Sequence, residues 1–93
     1  MSEQKLASKI LIHSLSATVT PQKVCTNNPT RKGISVQITD SGTAYITSGQ
    51  NQPYTEGKKV SATLPYENLV ATAELWILTS SSTAACIVEE STD

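Results

Sequence analysis

Residues 33 to 47 restrict the fold of this chain more than any other stretch. "GISVQIT" (33 to 39) alternates aliphatic and polar residues one for one. Ile34, Val36 and Ile38 share one face, and Ser35, Gln37 and Thr39 share the other. Asp40-Ser41-Gly42 then supplies a hairpin loop in which Gly42 is free to take positive φ, and "TAYIT" (43 to 47) returns. A period of two broken by a tight loop is the pattern of a β-hairpin, and no helix satisfies it. The same pattern recurs along the chain. Apolar or alternating runs stand at 9–15, 17–20, 22–26, 58–64, 74–79 and 84–89, separated by Pro21, Asn27-Asn28-Pro29, the polar loop 48–57, Pro65 and Ser80-Ser81-Ser82. Val60, Ala62 and Leu64 are expected on one buried face. Residues 66 to 73 fit a single helical turn as well as a connection. About seven short strands at this spacing predict an all-β chain, an antiparallel β-sandwich or small barrel. One domain is expected over residues 13–90, preceded by an extended N-terminal arm, 1–12, and followed by a tail, 91–93.

The core this chain can build is light. Of its 93 residues none is Phe, one is Trp and one is Met, while Ser and Thr fill about a quarter of the sequence. Trp76 reads as the one large core filler. A chain of this length buries only about 60 to 65% of its unfolded surface, so it gains from docking onto something larger. The formal net charge of −1 creates no field toward nucleic acid or an anionic membrane. No apolar run approaches the roughly 20 residues that span a bilayer. "MSEQKLASKILIH" lacks the long apolar segment and cleavage site of a secretory signal, which predicts synthesis in a reducing cytosol. Cys25 and Cys86 then read as small buried hydrophobes; a bridge between them is geometrically open, since both lie in predicted strands near the domain ends.

No catalytic constellation is legible. His13 lies alone in an apolar run, and the aspartates, Asp40 and Asp93, sit in a turn and at the terminus. His13, Cys25 and Cys86 do not make a zinc pattern, because no CxxC occurs. No serine sits in a G-x-S-x-G elbow, no glycine-rich loop opens a helix, and Glu56, Glu89 and Glu90 show no sign of facing one another across a cleft. An enzyme, a metal and a cofactor are therefore not expected.

The basic residues carry more information. Arg31-Lys32 and Lys58-Lys59 each enter a strand after a loop. Too few aromatic platforms accompany them for a nucleic-acid groove. Two readings remain open: lysines that guard strand edges against aggregation, and cations that meet a partner's carboxylates. Tyr45 and Tyr54 are candidate partner contacts. "KLASKILIH" (5 to 13) adds an apolar strip suited to a neighbour's sheet edge, through Lys5, Lys9, Ile10 and Ile12.

The ordered series "NPTRKGISVQITDSGTAYITSG", "PYTEGKKVSATLP" and "ELWILTSSSTAACIVEE" resembles small virion domains of tailed bacteriophages. The positions that carry it are Asn28, Pro29, Arg31, Lys32, Tyr45, Ile46, Pro53, Gly57, Leu75, Trp76, Ile77, Thr83, Ala84, Val88 and Glu89, within about residues 16 to 90. The resemblance implies a β-sandwich of the capsid decoration (cement) or head-fibre-base type. Such a protein binds the outer surface of the assembled head and bridges subunits of the major capsid protein as a homo-oligomer, a trimer being favoured. It resides in the virion after synthesis in the host bacterial cytoplasm. The compact size argues against a long fibre. A receptor- or glycan-binding module of a tail or fibre is the alternative, drawing on Asn51, Gln52 and Tyr54.

Overall fold

In the computed structural model, which describes residues 9–68 and 73–93, the chain runs through eight strands. These are β1 (Lys9–Ala17), β2 (Gln22–Cys25), β3 (Arg31–Ile38), β4 (Thr43–Thr47), β5 (Lys58–Ser61), β6 (Tyr66–Asn68), β7 (Leu75–Leu78) and β8 (Ala84–Thr92); a single 3-10 turn, Tyr54–Glu56, precedes β5. They form two four-stranded antiparallel sheets, ordered β1-β8-β3-β6 and β2-β7-β4-β5. Successive strands mostly cross from one sheet to the other, the jelly-roll arrangement of a β-sandwich. The all-β sandwich expected from the alternation is the fold observed.

The inward residues of both sheets make one core. Ile34, Val36 and Ile38 of β3 meet Ala44, Ile46, Val60, Leu75 and Ile77 of the second sheet, with Ala84, Cys86 and Val88 of β8 beside them. Both cysteines are buried thiols, and burial raises the pKa of each. They act as small hydrophobes.

Several expectations change. β3 and β4, expected to pair as a hairpin across Asp40-Ser41-Gly42, lie in different sheets: the connection crosses the sandwich, and β3 pairs with β8 and β6 while β4 pairs with β5 and β7. Trp76 is half-buried on the outer face of β7 and not in the core, because Leu75 and Ile77 take the inward positions of that strand. Its indole N–H donates to Glu74 Oε2 at 3.0 Å, and Lys23 Nζ stands 5.5 Å from the ring centroid. β5 stops at Ser61, where a tight turn pairs Ser61 with Leu64, so Ala62 and Leu64 are exposed. Residues 66 to 68 are strand; 69–72 lie outside the described residues. The domain boundaries also move. Lys9–Ile12, expected in the arm, pair with Glu89–Thr92 in the first sheet, and Ser91 and Thr92, expected in the tail, belong to β8. Residues 1–8 lie outside the described residues.

Among the described residues no glycine has positive φ, so the role expected for Gly42 is replaced by another. A Cβ at Gly42 would stand 2.8 Å from the Cβ of Ala84, and one at Gly57 would stand 2.9 Å from the Cβ of Tyr45 and 3.0 Å from the carbonyl oxygen of Ile46. Both glycines permit close approach of neighbouring chain. Gly57→Ala should therefore destabilise the fold by about 1–3 kcal/mol, and Ile38→Ala, which empties a fully buried position, by about 2–5 kcal/mol. Gly49→Ala, whose nearest atom is 3.9 Å away, should stay within about 0.5 kcal/mol of the parent. Urea denaturation of the three variants checks this order.

Candidate functional site

β1 is the longest strand on a sheet edge. Its ladder with β8 runs from Lys9↔Thr92 to Ala17↔Ala84 without a break. The other neighbour of β8 sets the parity of that ladder. Ala85 offers its carbonyl to Thr39 N–H at 2.9 Å and its N–H to Asp40 Oδ2 at 3.1 Å, so both of its backbone groups face β3. Ser16, the β1 partner of Ala85, is then in a non-hydrogen-bonded pair, and its own backbone groups point away from the sheet. Consistently, Ser16 C=O accepts from Gln22 Nε2 at 2.9 Å. Alternation carries the same orientation back along the unbroken strand. Ile10, Ile12 and Ser14 direct both backbone groups outward, while Leu11, His13 and Leu15 bond to β8.

The side chains of this edge are apolar and uncovered. Ile10, Leu11 and Ile12 are 60%, 48% and 65% exposed, and every residue from Lys9 to Ser14 is exposed. Ile10 and Ile12 share the outer face with Ile87 of β8, which is 43% exposed; Leu11 lies on the opposite face. Only at Leu15 and Ala17 does β1 meet the core. Lys9, Ile10 and Ile12 are thus brought together as expected. Leu11 was missed, because period-two reading assigns one face to the core, and here neither face is covered.

Arg31 is a correction. It was expected to meet a partner's carboxylates, but its side chain is fully enclosed. The cause is a β-bulge. β3 pairs Arg31 with Thr92 and then Gly33 with Ser91, leaving Lys32 as the extra residue. Without the bulge the alternation of Ile34, Val36 and Ile38 would aim Lys32 inward. With it, Arg31 turns in and Lys32 turns out. Arg31 Nε donates to Glu90 Oε2 at 2.7 Å, Nη1 to Ala73 C=O at 3.0 Å, and Nη2 to Thr26 C=O. Asn28 Nδ2 donates to the same Glu90 oxygen at 3.1 Å and to Thr92 Oγ1 at 2.9 Å. The guanidinium therefore ties β3, β8 and two loops at one end of the sandwich. Glu90 could be found from sequence only by following the inward series Cys86, Val88, Glu90 along β8.

The remaining expected contacts are scattered. Lys32 stands 3.4 Å from Asp93 Oδ2. Lys58 and Lys59 are exposed on β5, the edge of the second sheet. The Tyr45 and Tyr54 rings pack 5.1 Å apart, tilted by 52°. Gln52 Oε1 accepts from both Ser48 N–H and Ser48 Oγ, so that side chain is engaged inside its own loop. Lys5 lies outside the described residues. A shallow concavity on the outer face of the first sheet is lined by Gly33, Ile34, Ser35, Glu67, Glu89 and Ser91. Ser35 pairs with Glu67 on one side and Glu89 on the other, which sets the Cα atoms of the two glutamates about 10 Å apart across two strand spacings. Among the described residues no three of His, Cys, Asp and Glu stand where they could hold a metal ion.

No protein-family model matches the chain, and no curated protein matches it. Among solved structures it is similar to a chain from a study of Bacillus endospore appendages, which form a family of disulfide-linked pili. Identity is 18%, the TM-score is 0.49, and the match covers 97% of this chain and 91% of that one.

Glu90 gives a measurable pH dependence. Burial raises its pKa, but the hydrogen bonds from Arg31 and Asn28, with the nearby Arg31 and His13 charges, together leave it lowered. A carboxylate lowered on folding adds stability above its unfolded pKa, about 4.3, and that stability is lost as pH falls through the folded value. Glu90→Gln should cost about 1.5–3 kcal/mol at pH 7, and the difference from the parent should shrink as pH falls below 4. Urea denaturation across that range checks it; a pH-independent difference would contradict it.

Proposed function

We propose that this chain is a structural docking module and not an enzyme: a rigid sandwich that joins a larger protein assembly through the open edge of β1. One observation carries the reading. A nine-residue edge strand presents outward backbone groups together with exposed Ile10, Leu11 and Ile12. A long apolar edge left open is a pairing template, and native folds ordinarily blunt it with charge, proline or a bulge. Here β1 keeps it. Another strand laid on that edge exchanges main-chain hydrogen bonds and covers the isoleucines.

The resemblance to tailed-phage virion domains supplies the setting: decoration of the capsid, with the major capsid protein beneath and the assembled head as location. The light core suits this role, because burial against a shell adds stability that a small chain lacks. Exposed Lys9, Lys58 and Lys59 are free to meet acidic shell surface, whereas Arg31 is committed to Glu90. Many weak contacts repeated over a lattice give avidity without a single strong site.

Co-sedimentation tests the reading. The purified chain should pellet with empty capsids of the phage that encodes it and should not pellet with host cells. Ile12→Asp should weaken capsid binding about tenfold or more. Pelleting with cells alone, or an Ile12→Asp variant that pellets like the parent, would overturn it.

A further inference from the structure

We infer that the strand seated on the free edge of β1 is β1 of a second copy, paired antiparallel about a two-fold axis at Leu11, so that two first sheets join into one continuous eight-stranded sheet. This rests on the reading of β1 as an assembly edge and not on the identity of the shell. Three observations carry it.

The first is that the other edges are blunted. β6 has three residues and follows Pro65; β2 has four, follows Pro21, contains an irregularity between Lys23 and Cys25, and carries Lys23; β5 has four and carries Lys58 and Lys59. β1 has nine, and Lys9 at its end is the one Lys, Arg, Asp or Glu it carries. Between Ile10 and Ser14 the strand has no Asp, Glu, Lys or Arg to offer a charged partner, whereas exposed Ile10, Leu11 and Ile12 offer aliphatic surface to an apolar one.

The second is parity. Outward backbone groups belong to Ile10, Ile12 and Ser14, so an added antiparallel strand must set its own outward residues against them. With the axis at Leu11, Ile10 pairs with Ile12 of the second copy and Ile12 with its Ile10, each pair exchanging both N–H···O=C bonds. Leu11 meets Leu11 in the non-hydrogen-bonded site on the other face. The sequence Ile-Leu-Ile reads the same in both directions, so this register matches every exposed aliphatic residue of the edge to another. Moving the axis to Ile12 would place Ile10 against Ser14 and Leu11 against His13.

The third is charge. In this register the two Glu89 carboxylates are separated by three strand spacings, about 14 Å or more. The two Lys9 residues are four residues apart along the strand, also about 14 Å. Both separations exceed the roughly 8–10 Å over which exposed charges act at ordinary ionic strength. Lys58 and Lys59, on β5 at the opposite side of each sandwich, fall at the two far ends of the pair. A two-headed unit of this kind has the geometry to bridge two sites on a shell.

The test uses the full chain and three variants. Light scattering over a dilution series should show a species of twice the 9.9 kDa chain mass that dissociates on dilution. Mild oxidation of Leu11→Cys should give a disulfide-linked dimer, because a non-hydrogen-bonded antiparallel pair sets Cα atoms about 4.5 Å apart, within the disulfide range. Ile12→Cys should not cross-link, its two copies being diagonal. Ile12→Pro removes an N–H that points away from β8, so it should keep the β spectrum and yield a monomer. A parent chain that stays monomeric at the highest concentration would overturn the pairing, and cross-linking of Ile12→Cys in place of Leu11→Cys would overturn the register. A monomeric parent whose Ile12→Pro variant loses capsid binding would overturn self-pairing while leaving the docking reading intact.

Discussion

The ladder between β1 and β8 is the contact on which the rest depends. It runs the whole length of both strands without a bulge. That continuity lets one orientation, fixed where Ala85 bonds to Thr39 and Asp40, propagate to the far end of β1. The core anchors the ladder at Leu15 and Ala17, and beyond them every residue from Lys9 to Ser14 is exposed while the ladder with β8 continues. The result is a strand held firmly by one side and open on the other, with aliphatic side chains where an edge strand usually carries lysine or proline.

A second device closes the same end of the domain. The bulge at Lys32 turns Arg31 inward, where Glu90 receives it, and this arrangement sits on β3 and the C-terminal half of β8. Taking the guanidinium and the carboxylate out of water is costly, and the carbonyls of Ala73 and Thr26 together with Asn28 offset it by completing their hydrogen bonds. β8 is therefore braced from the β3 side just where it supports the exposed part of β1. The Arg-Lys pair thus divides its work: one cation is a structural tie inside the sandwich and the other is on the surface beside Asp93.

Much of this was legible in the residue order. The strands β3 and β4 with the turn between them, the break at Pro21, the inward Ile34, Val36 and Ile38, and the buried thiols all follow from period-two alternation and turn chemistry, but the pairing of β3 with β4 as a hairpin does not hold, because the connection crosses between sheets. What escaped depended on facts that alternation does not encode. A bulge reverses the faces of the residues before it, so Arg31 could not be placed without knowing the register of β8. Trp76 alternates as a strand residue should, but which face of β7 is inward is decided by its neighbours, and they turned the ring outward against Lys23 and Glu74. Of the apolar strip, Ile10 and Ile12 were found because they are aliphatic near a terminus. Leu11 was not, because a strand exposed on both faces looks from sequence like one buried on both.

The account reduces to a statement about amide groups: along β1, every second N–H is spent on β8 and the others face outward. Residue-resolved hydrogen exchange in dilute solution tests it most directly. The amides of Leu11, His13 and Leu15 should be protected, and those of Ile10, Ile12 and Ser14 should exchange fast, gaining protection as concentration rises. Equal protection of both sets at high dilution would mean that the edge is already covered by its own chain, and fast exchange of both would mean that Lys9–Ser14 is not part of the sheet.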